Sequence, residues 1–132
     1  MRNVLFAVLL ISTCGLGLAV AQESIWEVPD EAKAVENPVE ATDEAVTAGG
    51  ALFKKHCLMC HGEAGKGDGP ATQFIKPAPP DFATTEAKER MSDGEMFYKI
   101  TTGKRPMPPM TRKMSETERW QVVLFVRTLQ PE

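Results

Sequence analysis

Cys57, Cys60 and His61 are the residues whose types and spacing can do chemistry together, in the run Cys57-Leu58-Met59-Cys60-His61. Two cysteines with two residues between them and a histidine directly after read as the covalent attachment site of a c-type haem. Cysteines at i and i+3 share one face of a helical turn. Both sulfurs then reach the vinyl groups on one edge of a porphyrin and form thioethers. The imidazole of His61 meets the iron from one side. The motif therefore specifies one haem c, held through Cys57 and Cys60, with His61 as a metal ligand. The group on the other face of the iron decides between an electron carrier and a catalyst.

That second ligand must come from the distant half of the chain. His56 immediately precedes Cys57 and cannot swing to the opposite face; it reads as a helix-surface histidine. Among the methionines, Met59 lies between the haem cysteines. Met91 and Met96 have a structural role at a helix start, and Met114 adjoins the last helix as a packing contact. Met107 and Met110 lie in Gly103-Lys104-Arg105-Pro106-Met107-Pro108-Pro109-Met110. Prolines 106, 108 and 109 exclude helix and predict an extended, stiff loop. A stiff loop suits a weak ligand, because little entropy is lost when the thioether meets iron. Met107 is the expected metal ligand, with Met110 its competitor.

The elements that position these groups are helical. A first helix is expected from Thr42 or Asp43, through Ala45, Val46, Leu52 and Phe53, into the haem motif. Gly49 and Gly50 weaken it and imply a closely crossing helix. Ser92-Asp93-Gly94-Glu95 is a capping-box sequence that opens a helix through Ile100, ended by Gly103. Met91 and Met96 occupy its staple positions. Ser115-Glu116-Thr117-Glu118 is a second capping box and opens the last helix, Glu116 to Leu129. Val122, Phe125, Val126 and Leu129 give that helix a core-facing stripe. Lys76 to Phe82, with three prolines, reads as extended or polyproline-like. There is no internal repeat and no convincing strand, so the expected class is all-α.

Gly62 to Pro70 is rich in glycine but is not a phosphate-binding loop. A Walker loop has four residues before its Gly-Lys pair, then Ser or Thr. Here two intervene and Gly67 follows Lys66. The segment reads as a loop bending around the haem rim.

Residues 1–21 read as a signal peptide: Arg2, an apolar run from Val4 to Ile11, and Ala19-Val20-Ala21 before cleavage. A retained anchor and a lipid-modified Cys14 are the alternatives. The mature chain, 22–132, is then one small domain that needs a staple or a large apolar group in its core. After cleavage only Cys57 and Cys60 remain, so no disulfide framework is available. Residues 22–43 form an acidic, irregular arm, and 44–132 the haem domain. From Gln22 to Glu44 there are eight acidic residues and one lysine; from Ala45 to Glu132, thirteen basic and ten acidic. Pro29 and Pro38 interrupt the arm, while Trp26 and Val28 imply that it packs along the domain or a partner.

Gly49-x7-Cys57-x2-Cys60-His61-Gly62, Gly67-Asp68-Gly69-Pro70, Pro79-Pro80-Asp81-Phe82, Met107-Pro108-Pro109 and Trp120 to Leu129 together resemble class I c-type cytochromes, the small bacterial monohaem kind, over about residues 44–130. The resemblance implies the cytochrome c fold, with three main helices enclosing one covalent haem. It implies that the first and last helices cross at Gly49 and Phe125. It implies also that the carbonyl of Pro70, nine residues after His61, accepts the proton of His61 Nδ1. Such a bond orients the ring and makes the ligand more basic. Leu124 falls where related last helices often carry a polar residue, which implies a partner contact or a lone exposed leucine.

With histidine and methionine on both faces, the iron is low-spin and its potential is raised by the soft thioether. The expected function is one-electron transfer in periplasmic or membrane-associated transport, not enzymatic catalysis. The partners are redox proteins; no nucleic acid is expected. Lys54, Lys55, Lys66, Lys104, Arg105, Arg112 and Lys113 are candidates for a basic rim that steers an acidic partner. The alternative is a subunit of a larger respiratory or dehydrogenase complex in the membrane. A five-coordinate haem enzyme or sensor requires that Met107 not bind. A haemless thiol-disulfide protein lacks its strand-helix pattern here, and a purely structural haem subunit is the remaining reading.

Overall fold

The computed structural model describes residues 26–132. The expected cleavage site after Ala21, and Cys14, lie outside the described residues. Six α-helices, one 3-10 turn and no strand are found among the described residues. In chain order the helices are α1 (Asp30–Lys33), α2 (Asp43–His56), α3 (Leu58–His61), α4 (Thr85–Arg90), α5 (Asp93–Thr102) and α6 (Glu116–Thr128); the 3-10 turn, η1 (Pro70–Phe74), falls between α3 and α4.

Each long helix starts where its cap stands. Thr42 Oγ1 accepts from Ala45 N–H at 3.1 Å and opens α2. Asp43 and Glu44 lie in the first turn of α2, and Lys54, Lys55 and His56 in the last. That order complements the helix dipole. Ser115 and Glu118 form a complete capping box on α6. At α5 only half of the expected box forms: Ser92 Oγ accepts from Glu95 N–H, but Glu95 Oε1 pairs with Lys99 Nζ at 2.6 Å. Lys99, four residues on, draws the carboxylate away from the cap.

α2 and α6 cross at Gly49. A Cβ on Gly49 would land inside the Gln121 carbonyl and 3.2 Å from Phe125 Cβ. The backbones touch there, so only glycine fits. On α6, Val122, Val123, Val126 and Trp120 are all buried, Val123 completely. The apolar stripe thus spreads around most of the helix. α5 covers one added side, where Phe97 stacks on Trp120 at 3.9 Å and 8°. Leu124 is buried by this chain itself, 8% exposed, and is neither a solitary surface leucine nor available to a partner.

The arm lies along α5, reaches α6 through Asn37, and is not wholly irregular, because α1 forms within it. Asn37 Nδ2 donates to the Trp120 carbonyl at 3.2 Å. Ser92 Oγ donates to the Lys33 carbonyl at 2.7 Å. Val28 is buried, Val39 packs on the core, and Lys99 Nζ lies 5.9 Å from the Trp26 ring centre. The arm therefore packs along the domain, as one of the two expected arrangements had it. The turns α4 and η1 are additions to the expected order.

The crossing predicts a sharp contrast between adjacent glycines. Gly49→Ala removes a helix-weakening residue worth about 1 kcal/mol but must force the two backbones apart, so a net loss of about 2 kcal/mol is expected. At Gly50 the nearest atoms are Phe125 ring carbons at 3.0 Å. A ring edge gives way, and Gly50→Ala should stay within about 1 kcal/mol of the parent. Denaturant unfolding of the two variants measures the difference.

Candidate functional site: the cysteine pair, His61 and the methionine loop

α3 is one helical turn started by Cys57. Cys60 N–H and His61 N–H both donate to the Cys57 carbonyl, at 3.1 and 2.9 Å. This turn sets the two sulfurs on the same side of the chain. The glycine-rich loop then folds back on α3. Gly67 N–H reaches the His61 carbonyl at 2.9 Å and Gly69 N–H the Cys60 carbonyl at 3.3 Å. The loop so satisfies carbonyls that the end of a helix leaves open. No disulfide joins Cys57 and Cys60.

Burial governs the chemistry of these groups. It pushes the Cys57 thiol up to about 12, with Cys60 adding to the shift. A thiol-disulfide exchanger needs a thiolate of low pKa, and Cys57 has the opposite setting. Burial also lowers the pKa of His61, which keeps the imidazole neutral, the form that binds metals. His61 Nδ1 is buried with no hydrogen-bond partner. Two unpaired thiols and an unpaired, neutral imidazole side by side fit a covalently held haem. The Pro70 carbonyl, expected to accept from Nδ1, accepts from Gln73 Nε2 at 3.2 Å, which occupies one of its two lone pairs. The Gly69 N–H bond to the Cys60 carbonyl holds Pro70, the next residue and the first of η1, beside α3.

Sequence reasoning did not give Phe82 a role at the site. Its ring lies 5.0 Å from the His61 ring, tilted by 44°. Its N–H donates to the Gly65 carbonyl at 3.0 Å. The available signal was an aromatic residue closing a proline-rich run, a costly residue to leave in water.

The methionine loop begins where Gly103 ends α5 at a φ of 62°. A side chain on Gly103 would strike the Met107 carbonyl, 2.8 Å from a built Cβ, and the Pro108 carbonyl carbon, 2.6 Å away. The first segment of the loop is not extended, as expected, but turned: Met107 N–H donates to the Lys104 carbonyl at 2.8 Å. Proline excludes helix equally well in a turn. Met110 is a core residue, 3% exposed, with its N–H on the Ile100 carbonyl. Met107 is partly buried and packs against the cluster that contains Cys57 and Phe82.

Of the basic residues, Lys55 and Lys113 come together at His56. Burial first, then these two cations, lowers the His56 pKa, against the pull of Glu118. Lys54, Lys66, Lys104, Arg105 and Arg112 are exposed. No helix among the described residues is long and apolar enough to cross a membrane.

Three enclosing helices, paired thiols and an adjacent imidazole define a c-type haem domain. The profile of the family described as cytochrome c oxidase, cbb3-type, subunit III matches residues 44–126, and the chain belongs to that family. Its fold is that of class I c-type cytochromes, and the haem c is covalent through Cys57 and Cys60. Three solved structures are similar. A chain of the Kuenenia stuttgartiensis reducing HAO-like protein complex Kustc0457/Kustc0458 is 30% identical, with a TM-score of 0.65. That match covers 74% of this chain and 50% of the other, so the chain spans half the length of that relative. The KustC0563 c-type cytochrome is 26% identical, with a TM-score of 0.56, over 63% of this chain and 98% of its own. Cytochrome cL of Methylophaga aminisulfidivorans is 26% identical, with a TM-score of 0.53, over 67% of this chain and 55% of its own. No match was found among curated proteins. Proteins of this family are in general electron-transfer proteins.

Replacing one thiol tests the attachment. Cys57→Ser and Cys60→Ser should each keep one thioether and one unreacted vinyl, which moves the pyridine haemochrome α band to longer wavelength. The double variant should lose haem on denaturation, read by mass spectrometry.

Proposed function

We propose that this protein is a monohaem one-electron carrier with His61 and Met107 as axial ligands. The observation that carries the reading is a half-buried His61 at the end of α3, its Nδ1 buried without a partner, together with Met107 packed on the edge of the core that holds Cys57. Bound haem supplies the ferric/ferrous couple. Cys57 and Cys60 would hold it to α3, and His61 would ligate its iron. Gly103 lets the Met107 loop fold onto the end of α5, which fixes where the thioether is presented. Met110 is spent on the core, which favours Met107 between the two. The orphaned His61 Nδ1 requires an acceptor, and Pro70, held beside α3, is the one we assign. A histidine-methionine pair leaves no site for substrate and changes geometry little on redox cycling, which suits transfer rather than catalysis.

Export precedes this role in our reading, with 1–21 as the signal peptide, 22–43 as the arm and the mature protein in the periplasm. Redox proteins dock briefly over a small surface, guided by the basic rim. A second reading, a subunit of a larger assembly, is favoured by the family description, which names an oxidase subunit, and by the neighbour from a two-protein complex. Co-purification of the cytochrome from membrane and soluble fractions separates the two.

Met107→Ala should abolish the far-red methionine-to-iron band of the ferric protein and lower its midpoint potential, while Met110→Ala should keep the band and lose about 2–4 kcal/mol of stability. The reverse pattern would show Met110 to be the ligand. Neutralising Lys104 and Arg105 should slow association with an acidic redox partner by up to about tenfold at low salt, with the difference vanishing as salt rises. Stopped-flow reduction across ionic strength measures it.

A further inference from the structure

His61 does not stand alone. Its ring is one end of a chain of aromatic contacts that runs back to the helix crossing. Phe82 lies 5.0 Å from His61. Phe53 of α2 meets Phe82 edge-on at 6.2 Å and 86°. Phe125 of α6 meets Phe53 at 5.3 Å and 47°. Phe125 is the residue beside Gly49.

Phe82 is fixed at both ends of its peptide. Its N–H is held by the Gly65 carbonyl at 3.0 Å. Its carbonyl accepts from Gln130 Nε2 at 3.0 Å, and that amide is buried, with Gln130 6% exposed. The ring fills the space that the missing side chain of Gly65 leaves, with a built Cβ only 2.8 Å from Phe82 Cδ2. The same amide accepts from Arg127 Nη1 at 2.9 Å through Oε1, so Gln130 is oriented at one end and holds the Phe82 carbonyl, far from it in sequence, at the other.

Resting on His61 as the proximal ligand, we infer that Phe82 is a positioning residue for that ligand. Its ring packs against the imidazole and sets the angle of the ring plane, while Gln130 and Gly65 hold Phe82 in register. The last residues of the chain thereby bear on the proximal side of the iron. Phe82 also keeps water from His61, and an apolar surround favours the less charged ferrous state.

The test uses the haem-loaded full chain. Phe82→Leu keeps an apolar side chain but removes the flat face. It should fold, shift the g-values of the ferric low-spin haem, which report axial-ligand orientation, and lower the midpoint potential. Gln130→Ala should move both readouts in the same sense by less. Lowered melting temperatures with g-values and potential unchanged in both variants would overturn the proposal and leave Phe82 a packing residue. His61→Ala separates this from the underlying assignment. A native spectrum in His61→Ala would overturn the proximal ligand and this inference with it. Loss of that spectrum in His61→Ala, with Phe82→Leu unchanged, would overturn this inference alone.

Discussion

The contact of the α2 and α6 backbones at Gly49 is the constraint from which the rest follows. Two helices that touch at a glycine fix their own angle and separation, since no side chain intervenes to adjust. α2 leads through Cys57 into α3, so the crossing also fixes where the cysteine pair begins. α6 leads into Gln130 and Pro131, whose amide and carbonyl reach the Phe82 carbonyl and Lys88 Nζ. The crossing thus locates both the start of the haem segment and the anchor of the loop that closes over it. A small domain with a large prosthetic group needs such rigidity, because its polypeptide core is thin.

Two loops then do opposite kinds of work. The loop after His61 is bound to α3 by its own N–H groups and is stiffened by hydrogen bonds. The Met107 loop is stiffened by its prolines and by its close packing on Gly103. In the proposed pairing, the packed segment keeps His61 in place, and the thioether of Met107, the weaker ligand, gains from a loop shaped beforehand, because its bond would not repay much ordering. The same contrast explains why Met110, two residues beyond Pro108, belongs to the core: its N–H returns to α5 at Ile100.

Much of this was legible in the sequence because the signals are local. Thr42, Ser92 and Ser115 mark helix starts through one hydrogen bond each. Gly49 marks a crossing because glycine in a helix interior otherwise only costs stability. Cys57, Cys60 and His61 announce their chemistry through spacing alone. What escaped was set by contacts distant in sequence. α4 carries no apolar stripe of its own; it is tied down by Arg127, whose guanidinium reaches the carbonyls of Lys88 and Met91 and the carboxylate of Asp93. Phe82 meets His61 only after Gly65 and Gln130 have placed it. Leu124 looked solvent-facing because a three-four periodicity assumes one buried side, and α6 is covered on more than one.

The acidic arm shows how fold and charge can be served by different atoms of one segment. It adheres through backbone carbonyls, one asparagine amide and a few apolar side chains. Its carboxylates contribute little to that adhesion: Asp30 pairs with Lys33 on the surface, and Glu31, Glu36 and Glu40 are exposed. Surface ion pairs of that kind add little stability. The charge of the arm therefore survives docking as surface charge, while Lys55 and Lys113 gather near the haem segment. A molecule with separated acidic and basic regions is oriented by the field of a partner before contact. The arm thus contributes twice, once by packing on α5 and bonding to α6, and once by carrying a surface rich in acidic charge.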